Sequence, residues 1–364
     1  MELKDSKTFL KRLTEGSDEE PNQGAKLQRR LIANKEHNWL LALMLHSCAK
    51  LAANVPMTDL EEIVINSFRR NGFSDEELKQ QGRLYEEIPE QTRRAILPEE
   101  LALLNIQARY DIGTFKTDLQ KLERKAVAKL RTQERIDMQN TEMQPETVEN
   151  ISNPSDELST ASGKSALKLR YNIKALDFRC LNPQKDWVKP KNYIYWIFGN
   201  QKNKGEVELS HVFPGVDKNE AFSFSADEGH IWGENGLPQA FAQEGVVSGI
   251  AGCMERDKGD TTKLRKKLRA IFASATTILE LSGVAAWIGA IVAAVGQLID
   301  WFVGAWSDDL IAMHNVTFTR EVIDEKFGSI PTKKGVIQAF KFAKLFSDAQ
   351  GEYLLTIGVS RRTV

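Results

Sequence analysis

Five basic residues lie within seven positions, directly ahead of the most apolar stretch of the chain: Lys263, Arg265, Lys266, Lys267 and Arg269. Clustered ammonium and guanidinium groups attract the phosphates of anionic lipids. Residues 281–306 follow, and Asp300 is the one charged residue among them. At about 1.5 Å per residue, a helix of roughly 26 residues reaches ~39 Å, more than the ~30 Å hydrocarbon core of a bilayer. The pattern predicts a helical element, residues 263–306, that inserts conditionally into a membrane.

The apolar run is also rich in small residues and contains three tryptophans. Gly289 and Ala293 form a small-xxx-small pair, which lets helices approach closely in an apolar medium. Tryptophan side chains favour the boundary between hydrocarbon and headgroups. Trp287, Trp301 and Trp306 are therefore predicted interface anchors.

Two other interpretations of the run stay open. Small residues allow tight helix packing in a globular core too, so the run can be a permanently buried helical hairpin. Its length also suits a constitutive transmembrane anchor. In every case Asp300 needs a partner or a polar edge, because an unpaired buried charge is costly.

Acidic residues flank the apolar segment on both sides. Asp257 and Asp260 precede the basic cluster, and Asp308 and Asp309 follow the run. Calcium takes six to eight oxygen ligands, and loop carboxylates supply them. These four residues are the predicted metal site, and calcium is the only cofactor predicted. The interleaved Lys258 opposes a metal, and solvated turn residues are the alternative.

The chain ahead of this segment divides into a flexible N-terminus, 1–27, and a helical bundle, 28–132. Apolar residues recur at helical spacing through the bundle. One helix is predicted to open at Thr58 or Asp59 and another at Ser74, and Glu77 completes a capping-box pattern with Ser74. The bundle is the predicted binding region for a protein partner.

Residues 133–165 contain few apolar residues and no aromatic residue, which predicts a disordered linker. The apolar period then changes to two, since Leu169 and Tyr171 alternate with polar residues as in a half-buried strand. Further short strands separated by turn residues predict an antiparallel β-sandwich over 166–364. A long helical hairpin, 261–306, is inserted between two late strands. The predicted fold class is α+β, with several domains.

The acidic turn at 255–260, the pair Asp308-Asp309 entering a strand, and the terminal strand from Gly351 together resemble the C2-like β-sandwich modules of multidomain bacterial proteins. The resemblance covers about residues 166–362, and the helical bundle resembles no family that we recognise. It implies an antiparallel sandwich that engages lipid headgroups, in many members with calcium. The helical insertion departs from the plain C2 pattern.

Catalytic and nucleic-acid-binding signals are scarce in the sequence. GxSxG, P-loop, GxGxxG and kinase signatures are absent, and the three cysteines form no CxxC motif. An enzyme with an unfamiliar site would need His211 and His230 to meet acidic loop residues in the fold. The formal net charge is −1, so no nucleic-acid partner is predicted.

The N-terminus lacks the apolar core of a secretory signal peptide. We therefore expect synthesis in the cytoplasm, and any delivery outside the cell by a route that reads no such signal. The combined features favour a non-enzymatic, toxin-like effector whose C2-like domain engages a lipid bilayer. The alternative is a soluble interaction, adaptor or packaged-cargo protein whose hairpin is permanently buried core.

Overall fold

The computed structural model describes residues 23–121, 146–148, 168–183, 193–200, 207–233, 239–240, 246–256, 261–282, 288–304, 309–330, 335–347 and 351–364. In this part of the chain, helices come first and two antiparallel sheets follow. The predicted mixture of N-terminal helices and C-terminal antiparallel sheets is confirmed at this level.

Helices fill the first described range, in this order: α1 (Gln23–Ala33), a 3-10 turn (Lys35–His37), α2 (Trp39–Ala53), α3 (Asp59–Arg70), α4 (Asp75–Glu87), α5 (Glu90–Ile96) and α6 (Glu99–Ala102). Residues 112–121 are also helical. Thr58 and Glu61 form a capping box at the start of α3, and Ser74 and Glu77 form one at the start of α4. The predicted N-cap at Ser74 is confirmed, and of the two predicted alternatives Thr58 is the N-cap of α3. Each capping box satisfies backbone N–H groups that the first helical turn leaves open.

Two sheets follow. Sheet I contains β1 (Glu146–Val148), β2 (Leu169–Asn182), β6 (Ala221–Ser223), β7 (His230–Trp232), β10 (Ile337–Ser347) and β11 (Glu352–Thr363). Its order is β1-β10-β11-β2-β6, and β7 also pairs with β2. Sheet II contains β3 (Tyr193–Asn200), β4 (Val207–Leu209), β5 (Phe213–Pro214), β8 (Val246–Glu255) and β9 (Asp309–Thr319). Its order is β4-β3-β8-β9, and β5 also pairs with β3.

The helical insertion joins two neighbouring strands of sheet II. It consists of α7 (Thr261–Ser282) and α8 (Ile288–Gly304). Glu255 at the end of β8 pairs with Asp309 at the start of β9. The chain therefore leaves and re-enters the sheet at one end, and the insertion takes the place of a hairpin loop.

Alternate residues of β3 face different layers. Ile194, Trp196 and Phe198 belong to an apolar cluster shared by both sheets, whereas Tyr195 and Ile197 belong to a cluster shared with the helices. Sheet II therefore lies between sheet I and the helices. A strand that is buried on both faces consists of consecutive apolar residues. This accounts for the sequence YIYWIF in β3.

Aromatic side chains connect the two sheets. Trp196 of β3 lies with its ring centroid 5.4 Å from that of Phe178 in β2 and 4.9 Å from that of Phe346 in β10. A further contact joins Phe318 of β9 to Phe342 of β10 at 5.3 Å. The sheets thus pack face to face, while the C2-like topology remains a prediction.

Some boundaries differ from those expected. Helix α1 begins at Gln23, inside the predicted flexible N-terminus 1–27, because Leu27 is buried one turn from Leu31. Strand β1 lies inside the predicted linker 133–165, where backbone pairing with β10 needs no apolar side chain. The rest of that linker lies outside the described residues.

Strand β10 and helix α9 (Arg320–Phe327) are among the elements that the sequence analysis does not predict. Strand β10 carries Phe340, Phe342 and Phe346 toward the core, and this period-two spacing was available in the sequence. Helix α9 follows β9 directly, with the Thr319 hydroxyl accepting from the N–H of Val322.

Candidate functional site

The insertion lies against sheet II on one side and the N-terminal helices on the other. Helix α7 packs on α3, and α8 packs on α1, α2, β8 and β9. Most of the described apolar side chains of this segment are buried, whereas Leu281 is exposed. The buried set is Leu268, Ala270, Ile271, Phe272, Ala275, Ile278, Ala294, Val295, Leu298, Ile299, Trp301 and Phe302. In this state the N-terminal helices α1–α4 cover the insertion. We call them the cover.

The charge within the apolar run is paired across this interface. Asp300 in α8 is 2% exposed, and Arg30 of α1 reaches it. Arg30 Nε donates to both carboxylate oxygens at 3.0 Å, and Nη2 lies 2.9 Å from Oδ1. Arg30 Nη1 also donates to the carbonyl of Leu310 at 3.3 Å. The cover therefore provides the partner that the sequence analysis predicts for Asp300.

Two further polar contacts cross the same interface. Trp301 Nε1 donates to Gln81 Oε1 at 2.9 Å, and both side chains are buried. The Ser274 hydroxyl of α7 lies 3.2 Å from the carbonyl of Ser67 in α3. A buried indole N–H left without an acceptor is costly. Gln81 therefore stabilises the covered position of Trp301.

The basic cluster divides into paired and exposed groups. Lys267 donates to Glu77 at 2.5 Å and lies 4.2 Å from the ring centroid of Phe73. Burial raises the pKa of Glu77, but Lys267 and the capping donors of Ser74 outweigh burial, so the net pKa lies below the ordinary value. Lys266 and Arg269 are exposed.

The remaining predicted membrane contacts are only partly placed. Lys263 and Arg265 lie in the first two turns of α7, and Gly289 and Ala293 lie in the first two turns of α8. Trp301 is fully buried rather than at a surface, so it reaches a bilayer only if the cover moves. Trp287 and Trp306 lie outside the described residues.

Within the described parts of the chain, no helix combines the length and the apolar character needed to cross a membrane.

The predicted calcium site is mostly outside the described residues. Asp257, Asp260 and Asp308 fall there, and Asp309 is the first residue of β9. The described ranges bring together no group of three or more His, Cys, Asp or Glu that could hold a metal ion. The calcium site remains a prediction.

Of the two histidines that an enzyme interpretation required, the His211 side chain pairs with an acidic side chain, whereas His230 contributes its backbone N–H to the same region. His211 Nδ1 lies 2.9 Å from Glu228, whose carboxylate also accepts from the backbone N–H of His211. Glu208 of β4 accepts from the backbone N–H groups of Gly229 and His230. Burial raises the pKa of Glu208 to about 7. This cluster connects the edge of sheet II to β7 of sheet I.

The cysteines have the character of core residues. All three are buried, and none of them forms a disulfide. Burial raises the pKa of the Cys180 thiol to about 11 and also raises that of Cys48. Since the thiolate is the nucleophilic form, burial disfavours the nucleophilic form of both thiols.

Comparisons with known proteins give no family. No protein-family model matches the chain, and no curated protein sequence does. Among solved structures, human GIVD cytosolic phospholipase A2 is similar with a TM-score of 0.23 and 12% identity, over 56% of this chain and 17% of that one. The same enzyme in complex with methyl gamma-linolenyl fluorophosphonate gives 0.22 and 11%, over 60% and 19%. The chain thus spans less than a fifth of the length of these enzymes.

Proposed function

We propose that this protein engages an anionic lipid surface through its helical insertion, residues 263–306, which the cover encloses in the state described above. The observation that carries the proposal is the pairing of buried Asp300 with Arg30 of the cover. The Asp300 carboxylate and the Trp301 indole N–H of α8 both find their partners on the cover, so both groups lose these partners when the cover moves.

The chain order makes the cover separable. Every described strand lies C-terminal to residue 145, whereas the cover comes from residues 23–87. Moving the cover therefore breaks helix packing and the Arg30–Asp300 pair but no strand pairing. Breaking a buried pair costs about 3–5 kcal/mol. Release is conditional, because a lipid surface must offset both the loss of this pair and the exposure of the apolar surface that the cover and the insertion share.

The outward surface of α7 suits a lipid interface. Lys266 and Arg269 are exposed, while Leu268, Ile271 and Phe272 point into the core. A helix with one cationic and one apolar face lies in the headgroup region, with its apolar face toward the acyl chains. Each basic residue near an anionic surface contributes about 1 kcal/mol.

Vesicle flotation with the full-length chain tests the proposal. We expect binding to vesicles containing phosphatidylserine, weaker binding for Lys266→Glu/Arg269→Glu, and stronger binding for Arg30→Ala, which loosens the cover. Arg94→Ala is the matched control, because Arg94 pairs with Glu90 at the exposed surface. Dye release from the same vesicles would indicate a toxin-like action. Absence of binding by both the wild type and Arg30→Ala, with and without calcium, would refute the proposal.

A second candidate is an interaction protein whose insertion stays in the core. It is favoured by the apolar cluster that combines the cover, the insertion and residues of sheet II such as Tyr195 and Ile250. Partners would then bind the outer surface of the helical bundle. Hydrogen exchange distinguishes the two functions: slow exchange in α8 that anionic vesicles leave unchanged supports the core role.

A further inference from the structure

Helix α1 presents one short recognition face to the rest of the protein. Leu27 and Leu31 are fully buried, and Arg30 points the same way. Positions three and four apart lie on one face of a helix. This face contacts α8 and α5. Helix α1 therefore lies in a groove that these elements and the start of β9 form.

The groove requires a specific cation. Asp300 sits in it at 2% exposure, and the carbonyl of Leu310 lies beside the carboxylate. The guanidinium of Arg30 donates to both groups at once, through Nε, Nη2 and Nη1. A lysine ammonium is a point charge and does not reproduce this fork. Without α1, the Asp300 carboxylate would lose its counter-charge.

We propose that this groove is a helix-binding site, which α1 occupies intramolecularly, and that it accepts a helix of a partner protein. The partner helix carries an arginine with large apolar residues three positions before it and one position after it, as Leu27 and Leu31 flank Arg30. Charge complementarity at Asp300 and the apolar walls select this chemistry. The inference does not depend on lipid binding.

Competition with α1 sets the conditions for observing the site. A tethered helix has an effective concentration on the order of millimolar, so a free helix of equal affinity at about 10 µM would fill only about 1% of wild-type grooves. A natural partner must therefore make additional contacts. Weakening α1 in the full chain exposes the same site to a simple peptide.

The test uses a fluorescein-labelled peptide of residues 23–34 and full-length protein. Leu27→Ala/Arg30→Ala removes one buried leucine and the guanidinium from α1. We expect fluorescence anisotropy to report micromolar binding to this variant, at least about tenfold tighter than to the wild type. The same peptide with Arg30→Lys or Arg30→Glu should bind weakly or not at all. The Arg94→Ala chain should behave as wild type.

Hydrogen exchange on the wild type provides a second measurement that does not rely on the folding of a variant. We expect α1 amides to exchange through a local opening, faster than those of α2. Equal exchange in α1 and α2 would show that the groove never empties, and would overturn the proposal. So would a folded double variant that fails to bind the peptide. A concentration-dependent dimer without peptide binding would assign the groove to a second copy of this chain instead.

Discussion

Buried charges in this protein are held by several donors each. Glu61 is fully buried in the helical bundle, where Lys50 Nζ donates to it at 2.9 Å and His46 Nε2 lies 3.1 Å away. The Thr58 backbone N–H donates to the same carboxylate at 2.7 Å. Lys50 in turn donates to the carbonyl of Ala108 at 2.7 Å. Such a network fixes α2, α3 and the loop between α6 and the helix at 112–121 relative to each other. Losing one member of the network leaves another without its partner.

Glu61 should make stability fall with acid. Burial raises its pKa, but the donors from His46, Thr58 and Lys50 outweigh burial, so the folded-state pKa lies below the ordinary value. A lowered pKa stabilises the fold above the unfolded value of about 4.3, and this stability is lost as the pH falls through the folded pKa. Urea unfolding from pH 7 to pH 3.5 should show this loss in the wild type.

Glu61→Gln should remove that dependence. At pH 7 we expect a loss of about 3–5 kcal/mol, since Lys50 is left without its counter-charge, and a flatter decline below pH 4.5 than in the wild type. The neighbouring, exposed Glu62→Gln is the matched control and should keep the wild-type profile. An unchanged acid slope in Glu61→Gln would contradict the assignment.

The sequence predicts only part of the candidate site at the level of individual residues. A lone aspartate in an apolar run signals that a partner exists, and Asp300 was identified on that ground. Arg30 is 270 positions away, and it stands among other basic residues that look alike in the sequence. Which of them meets Asp300 depends on tertiary packing, and the same holds for Gln81 and Trp301.

At the scale of elements, local signals gave reliable results. The capping boxes at Thr58 and Ser74 involve atoms within three residues of each other, so sequence spacing is sufficient to predict them. The helices α1 and α2 are separated by a 3-10 turn at Lys35–His37. The continuous apolar stripe did not reveal this break, because burial on all sides of α2 removes the usual polar face.

Helices α2 and α4 approach closely enough to require a glycine. A Cβ added at Gly82 of α4 would overlap the carbonyl of Cys48 in α2. Glycine to alanine in a helix normally stabilises it by up to about 1 kcal/mol. Gly82→Ala should instead lower the free energy of unfolding by an amount on the order of 1–3 kcal/mol, because the added methyl group overpacks the contact. Urea unfolding measures this change.

Gly113→Ala is the control for this reversal. Gly113 is also helical, and the nearest atom to a Cβ there is Asp111 Oδ1 at 3.4 Å, an ordinary contact. This substitution should leave stability unchanged or raise it slightly. If both alanine variants gain stability, α2 and α4 do not approach each other as closely as described.

At the scale of the whole molecule, helices, sheet II and sheet I form three successive layers. The sequence predicted a helical bundle joined by a linker to a β-sandwich, because composition alone marks 133–165 as a boundary. In the fold, the insertion buries apolar surface against both the cover and sheet II. Contacts across such sequence distances are set by complementary surfaces, which periodicity does not encode. The two predicted domains therefore share a core.

This shared core has a measurable consequence for unfolding. Incorporation of 5-fluorotryptophan gives each tryptophan its own fluorine resonance: Trp39 reports on α2, Trp301 on α8, and Trp232 on β7 of sheet I. Without lipid, we expect one urea midpoint for all three, because exposing the cover or the insertion alone leaves large apolar surfaces in water.

Lipid should separate these reporters. With phosphatidylserine vesicles and no urea, Trp39 and Trp301 should shift as the cover leaves the insertion, while Trp232 should stay unchanged because strand pairing persists. Neutral phosphatidylcholine vesicles provide the control. An earlier urea midpoint for Trp39 alone would mean that the helices unfold separately from the sheets. Identical spectra with both vesicle types would show that the insertion stays in the core. The phosphatidylserine surface would then have failed to replace its contacts with Arg30 and with the apolar surface of the cover.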